Sequence, residues 1–276
     1  MRALLTGATG FVGQNLSRHL LEKGWQLQNI TRTDAPADID RKMQEFKPDM
    51  VIHLATLFIA EHKAEEIPAL IQSNVTFGTQ VVDSMIRHGV KNFINTGTLW
   101  QYFGGEREVA SSLYAATKSA FESILKFYVS AHGLKALTLM LSDTYGPKDP
   151  RAKLLPKLLS MAGTEQRLQM SPGEQKIDWT FITDIVEAFE IAAQRLHSGT
   201  EKQSFAKYTV TSGELLSLKE TVALCEKVLG KKINIEFGAR PYRQREIMEP
   251  SRLDPQLPGW SPKYNLKKGL EACLHG

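Results

Sequence analysis

The chain has 276 residues, of which 42% are hydrophobic and 23% charged, so it can bury a proper core without covalent staples. Its net charge is only +4, and its basic clusters, "KK" at 231 and 267 and "RPYRQR" at 240–245, are short, which argues against a nucleic-acid partner. No apolar run approaches membrane-spanning length, and Cys225 and Cys273 stand far apart without metal-ligand spacing; the expectation is a cytoplasmic protein with reduced thiols, no metal and no membrane.

"RALLTG" predicts a strand that begins at residue 2, which leaves no room for a signal peptide. A helix is predicted over 11–23, then strands at "QLQNITR" and "DMVIHLA", and a helix over 74–88. The strand "KNFINTG", a helix over 113–131 and the strand "KALTLMLS" continue the alternation. That order predicts an α/β fold: a Rossmann-type doubly wound parallel sheet with helices on both faces. After "YGPKDP" the pattern turns irregular, with proline and glycine punctuation at 147–173 and 238–262. A smaller C-terminal α/β substrate lobe is expected there, with a strand at 206–210, a helix at 217–229 and a strand at 233–237. The expected division gives 1–147 plus about 178–204 to the dinucleotide-binding domain, and about 148–177 and 205–276 to the lobe.

"GATGFVG", residues 7–13, follows the first predicted strand and opens the first helix. Gly7 permits a tight turn, Gly10 lets backbone approach a pyrophosphate, and Gly13 lets helix and strand pack closely. Thr9, Phe11 and Val12 complete that cradle. The second strand ends in "NITRTD", where an acidic residue would take the ribose of NAD; Arg32 stands there first and suits the extra phosphate of NADP. A shifted register would instead return Asp34 to the ribose, so NADP(H) is favoured and NAD(H) stays open.

Thr96, Gly97 and Thr98 fall at the carboxyl end of a strand, where such folds bind ligands. Tyr114 and Lys118 follow one helical turn apart and share a face. A free phenol has a pKa of about 10, so a nearby cation and an oxidised nicotinamide are expected to lower it. Thr98 can donate to a carbonyl oxygen while Tyr114 protonates it.

In this order, "TGATGFVG", "VIHLAT", "SNVTFGT", Thr98, "YAATK", "TYGP", "DWTFITD" and "GWSPKYNLKKGLE" resemble the extended short-chain dehydrogenase/reductase family over essentially the whole chain. The resemblance implies that Thr98, Tyr114 and Lys118 are catalytic, with Lys118 also on the cofactor ribose. Leu54, Ala55 and Thr56 would lie along the cofactor, Asn74 would be a buried structural asparagine, and Ser142 and Asp143 would meet nicotinamide and substrate. In members that act on nucleotide-linked sugars an arginine of the smaller lobe grips the diphosphate, which points to Arg243, with Lys153 and Leu154 reaching the same ligand. Trp100, Gln101 and Tyr102 would shape the sugar pocket.

"SPGEQKIDW" and "FGARPYRQREIM" look most like sugar-nucleotide reductases of the CDP-abequose and CDP-paratose synthase kind. The implied reaction is NADPH-dependent reduction of a 4-ketone on a nucleotide diphosphate 6-deoxyhexose, in deoxysugar biosynthesis. Two departures bear on this. Leu99 and Trp100 replace the Asp-Glu pair of the 4,6-dehydratases, which argues against dehydration, and Ile177 stands where an arginine often precedes the Asp-aromatic pair. An epimerase or dehydrogenase on the same scaffold, or a non-catalytic NADP-binding regulator, are the other readings. The family's habit of pairing the helices at 74–88 and 113–131 implies a homodimer.

Overall fold

The protein is described by a computed structural model, which covers residues 1–107 and 109–275. The first half runs β1 (Arg2–Thr6), α1 (Phe11–Glu22), β2 (Gln26–Ile30), α2 (Pro36–Phe46), β3 (Met50–His53), α3 (Ile67–Ile71) and α4 (Phe77–Arg87). Then come β4 (Asn92–Thr98), α5 (Leu113–His132), β5 (Lys135–Leu141), β6 (Asp143–Tyr145), α6 (Leu154–Met161) and β7 (Leu168–Met170). The remainder is β8 (Lys176–Phe181), α7 (Ile182–His197), β9 (Phe205–Val210), β10 (Leu215–Ser217), α8 (Leu218–Leu229), β11 (Ile235–Phe237) and α9 (Leu266–His275).

Six strands, all parallel, form the larger sheet in the order β2-β1-β3-β4-β5-β9. From β1 the chain turns to β2 on one side and later to β3 on the other, so the order reverses between β1 and β3. A crevice at that reversal, beyond the carboxyl ends of the strands, is the ligand position of doubly wound sheets. Central strands such as "ALTLML" are apolar almost throughout because both faces are covered. On one face α1 and α7 pack through Leu16, Leu20, Ile185, Phe189 and Ala192. On the other, α2, α4 and α5 pack through Ile39, Met43, Val81, Phe121 and Leu125.

The smaller layer contains the sheet β10-β8-β6 and the parallel pair β11-β7. Its own core joins Tyr145, Leu158, Trp179, Phe181, Val222 and Leu266. One expectation is corrected here. The strand expected in the smaller lobe at 206–210 is β9, which pairs along β5 as the sixth strand of the larger sheet. Its apolar residues Ala206, Tyr208 and Val210 fill the core beneath α7, which is why it docks there.

Past β11 the chain returns across the larger sheet. Pro255 O accepts the Thr209 N–H at 2.8 Å, Trp260 Nε1 donates to Asp184 O at 2.9 Å, and Leu257 and Trp260 enter the core beneath α7. Both cysteines are free, and burial pushes the Cys225 thiol up to about 12, leaving it inert. Among the described residues no helix is long and apolar enough to cross a membrane.

Candidate active site

The loop between β1 and α1 shows what its glycines are for. Gly7 has φ +72°, and a Cβ there would meet the backbone of Ala55 at 2.6 Å. A Cβ on Gly13 would run into the Ala8 backbone, so α1 could not sit so close to β1. Gly10 is different: a Cβ there would meet only Gly7 O at 3.3 Å, so its open side faces the cleft. This is a cradle that fits a pyrophosphate at the amino end of α1.

The cleft encloses about 530 Å³ and is lined by the whole 7–13 loop, by Leu54, Ala55 and Thr56, and by Thr98, Tyr114, Ser142 and Asp143. Arg32 also lines it, with Nη1 donating to Ser73 Oγ at 3.2 Å. Asp34 does not line it. Its carboxylate accepts the Thr31 N–H at 2.8 Å and Lys42 Nζ at 2.6 Å, and these partners hold it ionised below the usual carboxylate range against the cost of burial. Asn74 is 1% exposed and ties the loop after β3 to α5. Its Oδ1 accepts from Leu57 N and Thr56 Oγ1, and its Nδ2 donates to Leu57 O and Thr117 Oγ1.

Tyr114 and Lys118 lie on one face of α5 and are both buried. Burial pushes the Tyr114 phenol up to about 12, with the Thr56 hydroxyl pulling weakly the other way and the Asp143 charge adding to the rise. The expected lowering by Lys118 is therefore not found in the protein alone, where burial sets the direction and Lys118 is not among the groups that shift the phenol. Desolvation likewise lowers Lys118 to about 8, offset in part by Glu122. Thr98 ends β4, and its Oγ1 accepts the Trp100 N–H at 3.3 Å, which leaves its own proton for a ligand.

The turn after Thr98 sorts its side chains. Trp100 points into the cleft, whereas Gln101 is 1% exposed and turned inward, bonding Thr98 N at 3.0 Å and Glu122 at 2.9 Å. The expectation that Gln101 lines the sugar pocket is corrected: one residue of turn reverses the side-chain direction. Tyr102 is likewise buried, donating to Asp254 at 2.5 Å.

A second pocket of about 260 Å³ shares Phe58, Trp100, Ser142, Asp143 and Lys153 with the first. Leu154 and Arg243 line it. Arg243 lies 5.0 Å over the Trp100 ring, and Glu246 accepts its Nε at 3.0 Å and Nη2 at 2.7 Å. Lys153 Nζ is 3.9 Å from Asp143 and 4.9 Å over the Phe58 ring. Between the pockets, Ser142 Oγ is fixed by Asp178 at 3.1 Å and Thr180 at 2.6 Å.

Two site residues carried no motif. Phe58, 41% exposed, stands edge-on to Tyr114 with centroids 4.9 Å apart, and Arg151 lies 4.4 Å over Phe11 beside the cradle. An aromatic placed two residues beyond the cofactor segment was the available signal for Phe58.

Residues 3–206 match the NAD dependent epimerase/dehydratase family. The chain belongs to that family. Its epimerase/dehydratase region includes every strand and helix that builds the cleft, and the chain is an NAD(P)-dependent enzyme of the oxidoreductase type. Among curated relatives, a CDP-abequose synthase of Salmonella typhimurium is 27% identical, covering 98% of this chain and 96% of its own. One from Yersinia pseudotuberculosis is also 27% identical, over 91% and 92%. In fold, the chain resembles the UDP-glucose 4-epimerase of Thermus thermophilus solved with NAD, with TM-score 0.85 and 21% identity over 100% of this chain and 98% of that one. MoeE5 in complex with UDP-glucose and NAD gives TM-score 0.88 at 19% identity, over the same shares.

Proposed function

We propose that this family member reduces the 4-keto group of a nucleotide diphosphate 6-deoxy-4-ketohexose, with NADPH as reductant. The observation that carries the reading is the junction of the two pockets: the cradle, Thr98 and Tyr114 line one, Arg243 and Leu154 the other, and Phe58, Trp100, Ser142, Asp143 and Lys153 belong to both. The relatives named CDP-abequose synthase support a deoxysugar substrate. Arg32 on the cleft wall, with Asp34 held away by Lys42, supports NADPH over NADH.

A reduced nicotinamide in the cleft supplies the hydride. Thr98 Oγ1 donates to the ketone oxygen and fixes its direction. Tyr114 delivers the proton that turns that oxygen into a hydroxyl. Its raised pKa keeps it protonated at neutral pH, as an acid must be, and the Lys118 ammonium steadies the phenolate left behind. Solvent then returns the proton. In the second pocket Arg243, whose Nη1 carries no hydrogen bond among the described residues, grips the diphosphate, with Lys153 beside it.

The test is NADPH absorbance with a panel of 4-keto-6-deoxy sugar nucleotides, including a 3-deoxy CDP-linked one, and NADH in parallel. Rapid loss with one member is the expected result; none with any member, while NADPH still binds, refutes the reading. Epimerisation on the same scaffold would instead show a firmly retained NAD and interconversion of sugars without net oxidation of added cofactor.

A further inference from the structure

Behind Thr98 lies a closed polar knot that the reaction above does not use. Gln101 Oε1 accepts the Thr98 N–H at 3.0 Å, and Gln101 Nε2 donates to Glu122 Oε1 at 2.9 Å and Ser119 Oγ at 3.3 Å. Glu122 Oε2 accepts from Lys207 Nζ, on β9, at 2.8 Å. Glu122 is 5% exposed, and the Lys207 side chain 16%.

Packing does not account for this cluster, because apolar residues of similar volume commonly replace a buried ion pair at no loss of stability. Direction does. An amide has one accepting and one donating end, and an ionised carboxylate can only accept. The Glu122 carboxylate therefore draws Nε2 toward itself and turns Oε1 toward Thr98, while its second oxygen is engaged by Lys207. Glu122 also follows Lys118 by one turn of α5 and favours its charged form. The other titratable groups nearby are Tyr114 on α5, His53 on β3, which burial holds neutral, and Tyr102, whose hydroxyl is bonded to Asp254 beside Arg107.

We propose that Glu122 is a positioning residue: through Gln101 it holds the backbone of Thr98, and along α5 it holds the charge of Lys118. A single buried carboxylate thus couples the strand end that orients the carbonyl to the helix that carries the phenol. This rests on the roles given above to Thr98 and Lys118.

The experiment uses the full chain with Glu122→Gln, Glu122→Asp and Gln101→Met, each checked for folding by its melting curve. NADPH affinity measured against pH needs no sugar substrate. In the wild type it should weaken as Lys118 loses its proton near pH 8; with Glu122→Gln that midpoint should move down by about one unit, while Glu122→Asp and Gln101→Met keep it in place. In the ketoreductase assay Gln101→Met should lower kcat by about tenfold to a hundredfold with KM within about twofold. An unmoved midpoint in Glu122→Gln, or wild-type kcat in Gln101→Met, overturns the proposal whatever happens to melting temperature. If Glu122→Gln does not fold, Gln101→Met decides through kcat. If the wild type reduces no ketosugar, the functional reading fails, while the pH arm still judges Glu122.

Discussion

At the scale of single residues, Tyr114 and Thr98 differ in what removal should do. Tyr114→Phe keeps the ring against Phe58 but deletes the acid, so turnover should fall at least about a hundredfold with NADPH affinity unchanged, as titration by fluorescence would check. Arg32→Ala should weaken NADPH by about 1.5–3 kcal/mol, the worth of a hydrogen bond to a charged group, and leave NADH nearly untouched. His53 gives a pH dependence. It is 1% exposed, and burial with the Lys118 charge lowers its pKa to about 3 from an ordinary 6.5. Below pH 6.5 the unfolded chain takes up a proton that the folded one refuses, so stability should drop by up to about 1.4 kcal/mol per unit as pH falls toward 3. Urea unfolding at pH 7 and pH 5 should show a smaller loss in His53→Asn. The glycine cradle, Thr98, Tyr114 and Lys118 were legible because backbone clearance and helical spacing are written in residue type and interval. Gln101 was not, since which way a side chain leaves a short turn depends on what waits behind it, here Glu122.

At the scale of elements, the six strands of the larger sheet, β11 and the helices α1, α4, α5 and α8 were readable from periodicity, whereas the short strands β6, β7, β8 and β10 and the helices α2, α3, α6, α7 and α9 were not assigned. Helix α2 begins at Pro36, with Asp38 Oδ2 accepting the Ala35 N–H at 3.3 Å, a start that reads locally as a turn. Helix α7 follows β8 with no residue between Phe181 and Ile182, so no punctuation separates strand from helix. Close packing of α1 on β1 makes its own prediction. Gly13→Ala would drive a methyl into the Ala8 backbone, and displacing α1 should cost about 1–3 kcal/mol in chemical denaturation and weaken both dinucleotides together. Equal losses for NADPH and NADH would set it apart from Arg32→Ala.

At the scale of the molecule, Asp178 joins the two layers. Its carboxylate accepts from Ser142 and Thr180, from the backbone N–H groups of Ser212 and Gly213, and from Arg252 Nη2 at 2.9 Å. Asp178→Ala would leave those donors stranded, so stability should fall by about 3 kcal/mol and the melting temperature with it, in a single transition. Sequence could not say which sheet β9 would join, because apolar alternation marks a strand and not its neighbour. The course of the chain carries a further consequence. It leaves the larger core after Leu141, returns at Ile182, leaves after Val210, returns at Leu257 and leaves again after Trp260 for Leu266 and Leu270. On the ribosome, therefore, the cleft-bearing sheet cannot close its core until Trp260 has emerged, nor the smaller layer until Leu270 has. Nascent chain shorter than that exposes apolar surface, which makes this protein a candidate for chaperone dependence through nearly the whole of its synthesis.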